Sequence, residues 1–394
     1  MSKLILKAGR EKSLLNRHPW VFSGAVGQTE GEAKGGDVID IHSASGSFLA
    51  RAFYNPASQI VGRVLSFSPE TIDRDFFRGR ISSALEFRRS LAAAGPPANA
   101  RRLVNAEGDG LPGLTVDDYA GHLVFRITSL GMGLRIDLIK DILIELVRPK
   151  AIYLRSDPRA DEREGIDLAS GALFGEVAGT VEIEENGIKL SVDIREGQKT
   201  GFYLDQAINR STVAAYARGR RVLDLFCYSG GFGVAALKAG AEKALFMDSS
   251  RPALSLVCRN LALNKIPEEK AVLAGENVFT ALTDPAVGEF APSLIILDPP
   301  PMARSSKDAG RAARGYLFLN SRALGLLPPG GILVTFSCSH YFDDKLFGQV
   351  IWQAARETGK EARIIGELTA APDHPVSIHH PEGKYLKGMV LRVG

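Results

Sequence analysis

Apolar and polar residues alternate with a period of two through most of the first 68 positions: KLILKA, WVFSGAV, DVIDIHS, SFLARAFY and IVGRVLSF. Turns such as Lys34-Gly35-Gly36-Asp37 separate these runs, which predicts a small β-barrel. Over 71–94 the period lengthens. Ile72, Phe76, Ile81, Leu85 and Leu91 fall at helical spacing, and Gly95-Pro96-Pro97 stops the run. From about 100 to 190 the pattern reads strand, strand, strand, helix, strand, strand. RLVNA, LTVDDY and HLVFRIT come first; Leu134, Leu138, Ile142 and Leu146 mark one helical face. AIYLRS follows, then a hairpin in TVEIEENGIKLSVDI around Asn186-Gly187, a pair suited to a two-residue β-turn. Past 200, the apolar strands RVLDLF, KALFMD, AVLAGE, SLIILD and GILVTFSC alternate with helical stretches. That alternation predicts a parallel sheet covered on both faces, with ligands at the carboxyl ends of its strands.

A chain of 394 residues is too long for one core, and three domains are expected. A barrel takes 1–70, a linker helix and an α+β central domain 71–190, and an α/β domain 191–394. No apolar run reaches the ~20 residues that span a bilayer. The start, MSKLILKAGREK, lacks a signal peptide's apolar stretch, so the cytoplasm is the expected compartment. Cys227, Cys258 and Cys338 are odd in number and far apart, offering neither a disulfide framework nor a metal pair. No metal is expected.

The formal net charge of +3 is less informative than its distribution. Residues 1–20 hold five basic groups against one acid, whereas 151–200 hold eleven acids against six bases. Lys3, Lys7, Arg10 and Arg17 therefore suit a polyanion, and an ordinary solvated surface explains them as well.

The chemistry-bearing residues stand at the ends of the C-terminal strands. RVLDLF carries Asp224 and runs into Cys227-Tyr228-Ser229-Gly230-Gly231-Phe232-Gly233. Small residues there let a backbone approach a ligand, and the next helix offers free N–H groups. Ala236 replaces the third glycine of the dinucleotide fingerprint. An acid at the tip of the following strand, Asp248, points instead to S-adenosylmethionine: its two oxygens suit the ribose hydroxyls. As a strand-tip carboxylate it is expected to carry little packing. SLIILD leads into Asp298-Pro299-Pro300, and Pro301 stands where enzymes acting on amino groups place an aromatic ring. GILVTFSC delivers Cys338, followed by Ser339 and His340. A thiolate there has a chemical reason, since C5 of a pyrimidine becomes nucleophilic only after addition at C6. Cys227 and Cys258 read as packing residues.

EGQKTGFYLDQAINR (196–210), VLDLFCYSGGFG (222–233), IILDPP (295–300) and TFSCS (335–339) resemble the bacterial ribosomal RNA large-subunit methyltransferase I family over the whole chain. The resemblance implies a PUA-like barrel, a central domain and a Rossmann-like class I methyltransferase domain, acting on a cytosine of 23S ribosomal RNA. It implies that Gln198, Lys199, Thr200, Phe202, Tyr203 and Asp205 cover the cofactor. Asp224, Tyr228, Gly230 and Gly231 would hold its methionine part and Asp248 its ribose. Asn277 stands where the family commonly has an Asp for the adenine amino group. Asp298 would hold the cytosine and Cys338 would attack C6, while His340 is a candidate for the C5 proton. Pro301 and Ala207 replace a usual Lys and Arg, a loss of charge that Arg304, Lys307, Arg311 and Arg314 would offset. A 5-methyluridine enzyme and an inactive RNA-binding factor stay open as alternatives, as does a homodimer.

Overall fold

In the computed structural model, which describes residues 2–95, 97–303 and 305–394, the chain divides into two compact units. The first comprises Met1–Ile183, Val192–Leu204 and Pro372–Gly383. Its opening strands are β1 (Lys3–Leu6), β2 (Trp20–Phe22), β3 (Val26–Glu30), β4 (Val38–His42), β5 (Phe48–Tyr54) and β6 (Ile60–Ser66), paired in the order β2-β6-β5-β4-β1-β3. Leu4, Leu6, Ile39, Ile41, Ala50, Ala52 and Val64 point from alternate positions into one core, as a period of two requires. Register shifts interrupt four of the pairings, and such bulges increase twist and bend. The sequence pattern missed β3, because VGQTE carries one apolar residue.

The helix Arg74–Ala94 begins where Asp73 accepts the Phe76 N–H at 3.1 Å. It buries Phe77, Ile81 and Leu85 with the core of a five-stranded sheet. That sheet contains β7 (Ala100–Asn105), β8 (Leu114–Tyr119), β9 (His122–Ile127), β10 (Ala151–Leu154) and β11 (Gly171–Phe174), ordered β11-β10-β9-β8-β7. β10 lies parallel to β9, a pairing that needs a crossover, here the helix Ile136–Val147. The hairpin of β12 (Thr180–Glu185) and β13 (Ile188–Asp193) is a separate two-stranded sheet.

The compact units cut the chain differently from the expected domains. The first sheet and the central sheet share one unit, and Pro372–Gly383 joins them from far along the chain. Asp373 Oδ2 accepts the Arg102 N–H at 2.8 Å, Arg88 donates to the Asp373 carbonyl at 2.9 Å, and Asn105 donates to the Pro375 carbonyl at 2.9 Å. Side-chain periodicity carries no trace of such a return.

The second unit comprises Glu184–Ser191, Asp205–Ala371 and Lys384–Gly394. Its strands are β14 (Arg221–Leu225), β15 (Lys243–Met247), β16 (Ala271–Ala274), β17 (Leu294–Leu297), β18 (Ile332–Ser337), β19 (Ala362–Leu368) and β20 (Lys387–Val393). They run β16-β15-β14-β17-β18-β20-β19, with the first five parallel and β20 antiparallel to both neighbours. Strand order reverses between β14 and β17, and ligands bind where that reversal opens a crevice. Among the described residues, no helix is long and apolar enough to cross a membrane.

Candidate active site

β14 ends beside a turn built for close approach. Phe226, Tyr228 and Gly230 all have positive φ, at 58°, 49° and 76°. A Cβ on Gly233 would stand 2.2 Å from the Phe246 ring, so glycine is what lets the helix Gly231–Lys238 pack on β15. The Gly233 N–H donates to Asp224 Oδ2 at 2.9 Å. Asp224 is buried, and burial raises its carboxyl to about 7, with Asp298 and Asp248 pushing the same way. Asp248, one residue past β15, accepts the Tyr228 N–H and the Ser250 N–H, both at 2.9 Å. This corrects the expectation that Asp248 carries little structure, since it ties the glycine turn to the next helix. Each of its oxygens keeps a lone pair for a hydroxyl donor. The Asp248 carboxylate suits hydroxyl donors and the helix N-terminus suits an anionic group, so the small-residue turn fits a nucleoside cofactor that carries a carboxylate.

The strands on the other side of the reversal hold the candidate reacting groups. Leu297 of β17 lies opposite Thr335 of β18, so Asp298 and Cys338 leave the same edge of the sheet. Gln206 donates to Asp298 Oδ2 at 3.0 Å and itself accepts from Asn209 at 2.5 Å. Cys338 is half-buried, its Sγ 3.8 Å from the Pro299 carbonyl oxygen. Ser337 and Ser339 on either side are bound to the Tyr316 hydroxyl, at 3.0 and 3.1 Å. Ser339 Oγ also accepts the N–H groups of Met302 and Ala303, at 3.0 and 3.3 Å. Burial pushes the Tyr316 phenol up to about 12, so it stays a neutral donor. The thiol is therefore carried on a pinned turn rather than a free loop.

The remaining sequence candidates fall in several places. Thr200 and Phe202 are buried in the first unit, where Thr200 donates to Asp117 at 2.5 Å and the Phe202 N–H donates to Tyr119 at 3.2 Å. Gln198 accepts from the Tyr203 hydroxyl, and the Lys199 ammonium lies 4.3 Å from the Tyr203 ring centre. Asp205 belongs to the second unit and accepts from Tyr385 at 2.5 Å. Asn277 caps the helix Val278–Ala281 through the Phe279 N–H at 2.9 Å. Lys3, Lys7, Arg10 and Arg17 are exposed, Arg311 is paired with Asp308 at 2.6 Å, and Arg304 lies outside the described residues. His340 is exposed, edge-on to Tyr341. Cys227 is buried, but Cys258 faces solvent and is not a packing residue.

Three residues near the site stand outside the candidates drawn from the sequence: Gln206, although it lies within the 196–210 motif, Tyr316 and Lys387. Elsewhere, in the first unit, His18, His380 and Glu382 converge with ligand-like spacing. His18 Nδ1 accepts the Trp20 N–H at 3.2 Å, which leaves the proton on Nε2, 3.2 Å from Glu382. That proton makes the group an imidazole–carboxylate pair, because a metal would need the Nε2 lone pair.

Residues 4–67 match the family of PUA-like domains, and 157–377 match S-adenosylmethionine-dependent methyltransferases. The chain is 42% identical over 393 residues to the ribosomal RNA large subunit methyltransferase I of Pseudoalteromonas atlantica, covering 100% of this chain and 99% of that one. It is 43% identical over 394 residues to the Aeromonas hydrophila protein of the same name, covering 99% of each. Among solved structures, an S-adenosylmethionine-dependent methyltransferase from Streptococcus mutans superposes with a TM-score of 0.85 over 100% of both chains, at 22% identity. A methyltransferase crystallised with SAH gives 0.87, also at 22% identity and over 100% of both chains.

Proposed function

The chain belongs to the ribosomal RNA large subunit methyltransferase I family and uses S-adenosylmethionine, and from that premise we propose that it methylates C5 of a cytosine in 23S ribosomal RNA, in the cytoplasm. The observation that carries the proposal is the Cys338 thiol, held on a pinned turn 3.8 Å from the Pro299 carbonyl, directly after Asp298. Methyl transfer to nitrogen or oxygen needs no thiol at that edge; transfer to C5 of a pyrimidine does. When bound, S-adenosylmethionine would supply the methyl group as an electrophilic carbon, the S–CH3 electron pair staying on sulfur as S-adenosylhomocysteine leaves. The Cys338 thiolate gives its electron pair to C6, and the C5–C6 π pair becomes the nucleophile at C5. After C5 is methylated, loss of its proton to a base restores the double bond and expels the thiolate.

Asp298 favours cytosine over uracil. Gln206 donates to Asp298 Oδ2 at 3.0 Å, which orients the carboxyl at the sheet edge. An ionised carboxylate accepts from the N4 amino group of cytosine, whereas uracil presents an O4 acceptor there. The test is ribosomal RNA from a strain lacking the gene, treated with the purified enzyme and methyl-labelled cofactor, then digested to nucleosides. Labelled 5-methylcytidine is expected; 5-methyluridine or N4-methylcytidine would sink the proposal.

A further inference from the structure

β20 runs antiparallel to β18 and sets Lys387 opposite Ser337, one residue before Cys338. Lys387 is 6% exposed. Its ammonium donates to the carbonyl of Ser339 and to that of Tyr385, both at 3.1 Å. An ammonium has three protons, so one is left over, and among the described residues Lys387 forms no ion pair. The charged and titratable groups acting on it are Asp343, Asp344, Lys384 and Cys338. Two of these are already engaged: Asp344 binds Lys384 at 2.8 Å, and Asp343 caps a helix through the Leu346 N–H at 2.7 Å. A buried cation bound only to neutral carbonyls is costly unless an anion lies nearby.

We propose that this anion is the Cys338 thiolate, and that Lys387 is a positioning residue holding the sulfur in its nucleophilic form. Burial pushes the Lys387 ammonium below its ordinary range, while Asp344 and Cys338 oppose that push. The interaction is mutual, so the charge that steadies the ammonium also draws the proton off the sulfur. The thiol proton leaves to solvent before the RNA base is attacked. The catalytic meaning of this pairing rests on Cys338 being the nucleophile; the pairing itself does not.

The experiment follows the pH dependence of Cys338 alkylation by iodoacetamide, read by mass spectrometry of its peptide. It uses the full chain carrying Cys258→Ser, which removes the exposed competing thiol. A free cysteine ionises near ~8.5, and the Cys338 midpoint is expected about one unit or more below that. Lys387→Met should raise the midpoint by about one unit, slowing alkylation at pH 7 by roughly tenfold. Lys387→Arg, which keeps the charge, should hold it near wild type. The acidic limb of the kcat profile should move with the midpoint, which a merely structural lysine would not cause. Melting curves show whether each variant is folded. Lys387→Gln serves if Met does not fold, and the wild-type midpoint decides if neither does. A wild-type midpoint at or above about 8.5, or one unmoved in the folded neutral variant, overturns the proposal. Retained turnover in Cys338→Ala overturns the nucleophile reading instead and leaves the alkylation result standing.

Discussion

The sulfur of Cys338 and the carbonyl oxygen of Pro299 lie 3.8 Å apart, joining the turn after β18 to the turn after β17. Asp298 is one peptide from that carbonyl. On the proposed function, a pyrimidine held by the carboxylate would lie beside the thiol, the kind of prepositioning that lowers a barrier. The serines flanking Cys338 and their shared Tyr316 partner keep it there.

Replacement of Cys338 by Ala is expected to lower methyl transfer by several orders of magnitude, with RNA and cofactor affinity near wild type. RNA carrying 5-fluorocytosine at the target should form a covalent adduct with the wild type and none with the variant, because fluorine does not leave as a proton does. Cys227→Ala should keep most activity, at a cost of about 1 kcal/mol for the small cavity. Cys258→Ala should cost nothing measurable, since that thiol is exposed. A Cys338→Ala enzyme with appreciable turnover would move the target to a nitrogen or a ribose oxygen.

Asp248→Ala should act on binding and on folding together. Loss of the ribose contacts should weaken S-adenosylmethionine by roughly 2–3 kcal/mol. The N–H groups of Tyr228 and Ser250 would lose their acceptor, lowering stability by about 1–2 kcal/mol. Calorimetry with the cofactor and urea unfolding separate the two effects. Unchanged cofactor affinity would place the ribose elsewhere.

The residues legible in the sequence are those whose placement follows from local pattern. Asp248, Asp298 and Cys338 each directly follow an apolar strand and Asp224 stands one residue before the end of β14, and a parallel sheet gathers such ends at one edge. The pairing of Gln206 with Asp298 is invisible in the sequence because the two are 92 positions apart, and that of Lys387 with Ser339 because they are 48 apart. β19 escaped notice for a different reason: Ile364 and Ile365 are both exposed, so the strand lacks the alternation that would announce it. Cys258 shares helical spacing with Leu254 and Leu261, the pattern of a buried face, yet only Leu261 of the three is buried.

Asp224 should leave a mark on the pH dependence of stability. Its ordinary value is 3.8, and burial raises it to about 7 in the folded chain. Between those values the native protein holds a proton that the unfolded chain has lost. Its stabilising contribution is therefore full below the ordinary value, falls as pH rises and is gone above about 7. The loss is on the order of 4 kcal/mol at roughly 1.4 kcal/mol per unit. Asp224→Asn keeps an acceptor for the Gly233 N–H but cannot titrate. Urea unfolding at pH 5 and pH 8 should show the wild type losing more stability than the variant; equal losses would mean Asp224 is ionised throughout.

The basic front of the chain should contribute affinity for RNA and nothing to chemistry. Lys3, Lys7, Arg10 and Arg17 are exposed and form no ion pair among the described residues. Their charge is thus not consumed inside the fold; the Lys7 ammonium donates to the neutral Gly24 carbonyl at 3.2 Å, and Arg17 lies over the Phe67 ring at 5.6 Å. Arg311 differs, being tied to Asp308, so reversing it should matter less. If Lys3 and Arg10 each neutralise one phosphate, the double variant Lys3→Glu, Arg10→Glu should reduce the slope of log K against log salt by about 1.5–2. RNA affinity at low salt should fall, while cofactor affinity and the melting temperature stay at wild-type values. This pattern separates phosphate contact from damage to the fold, which would lower every quantity together. An unchanged slope and affinity would show that these four cations are a solvated surface, and the RNA would have to be held elsewhere.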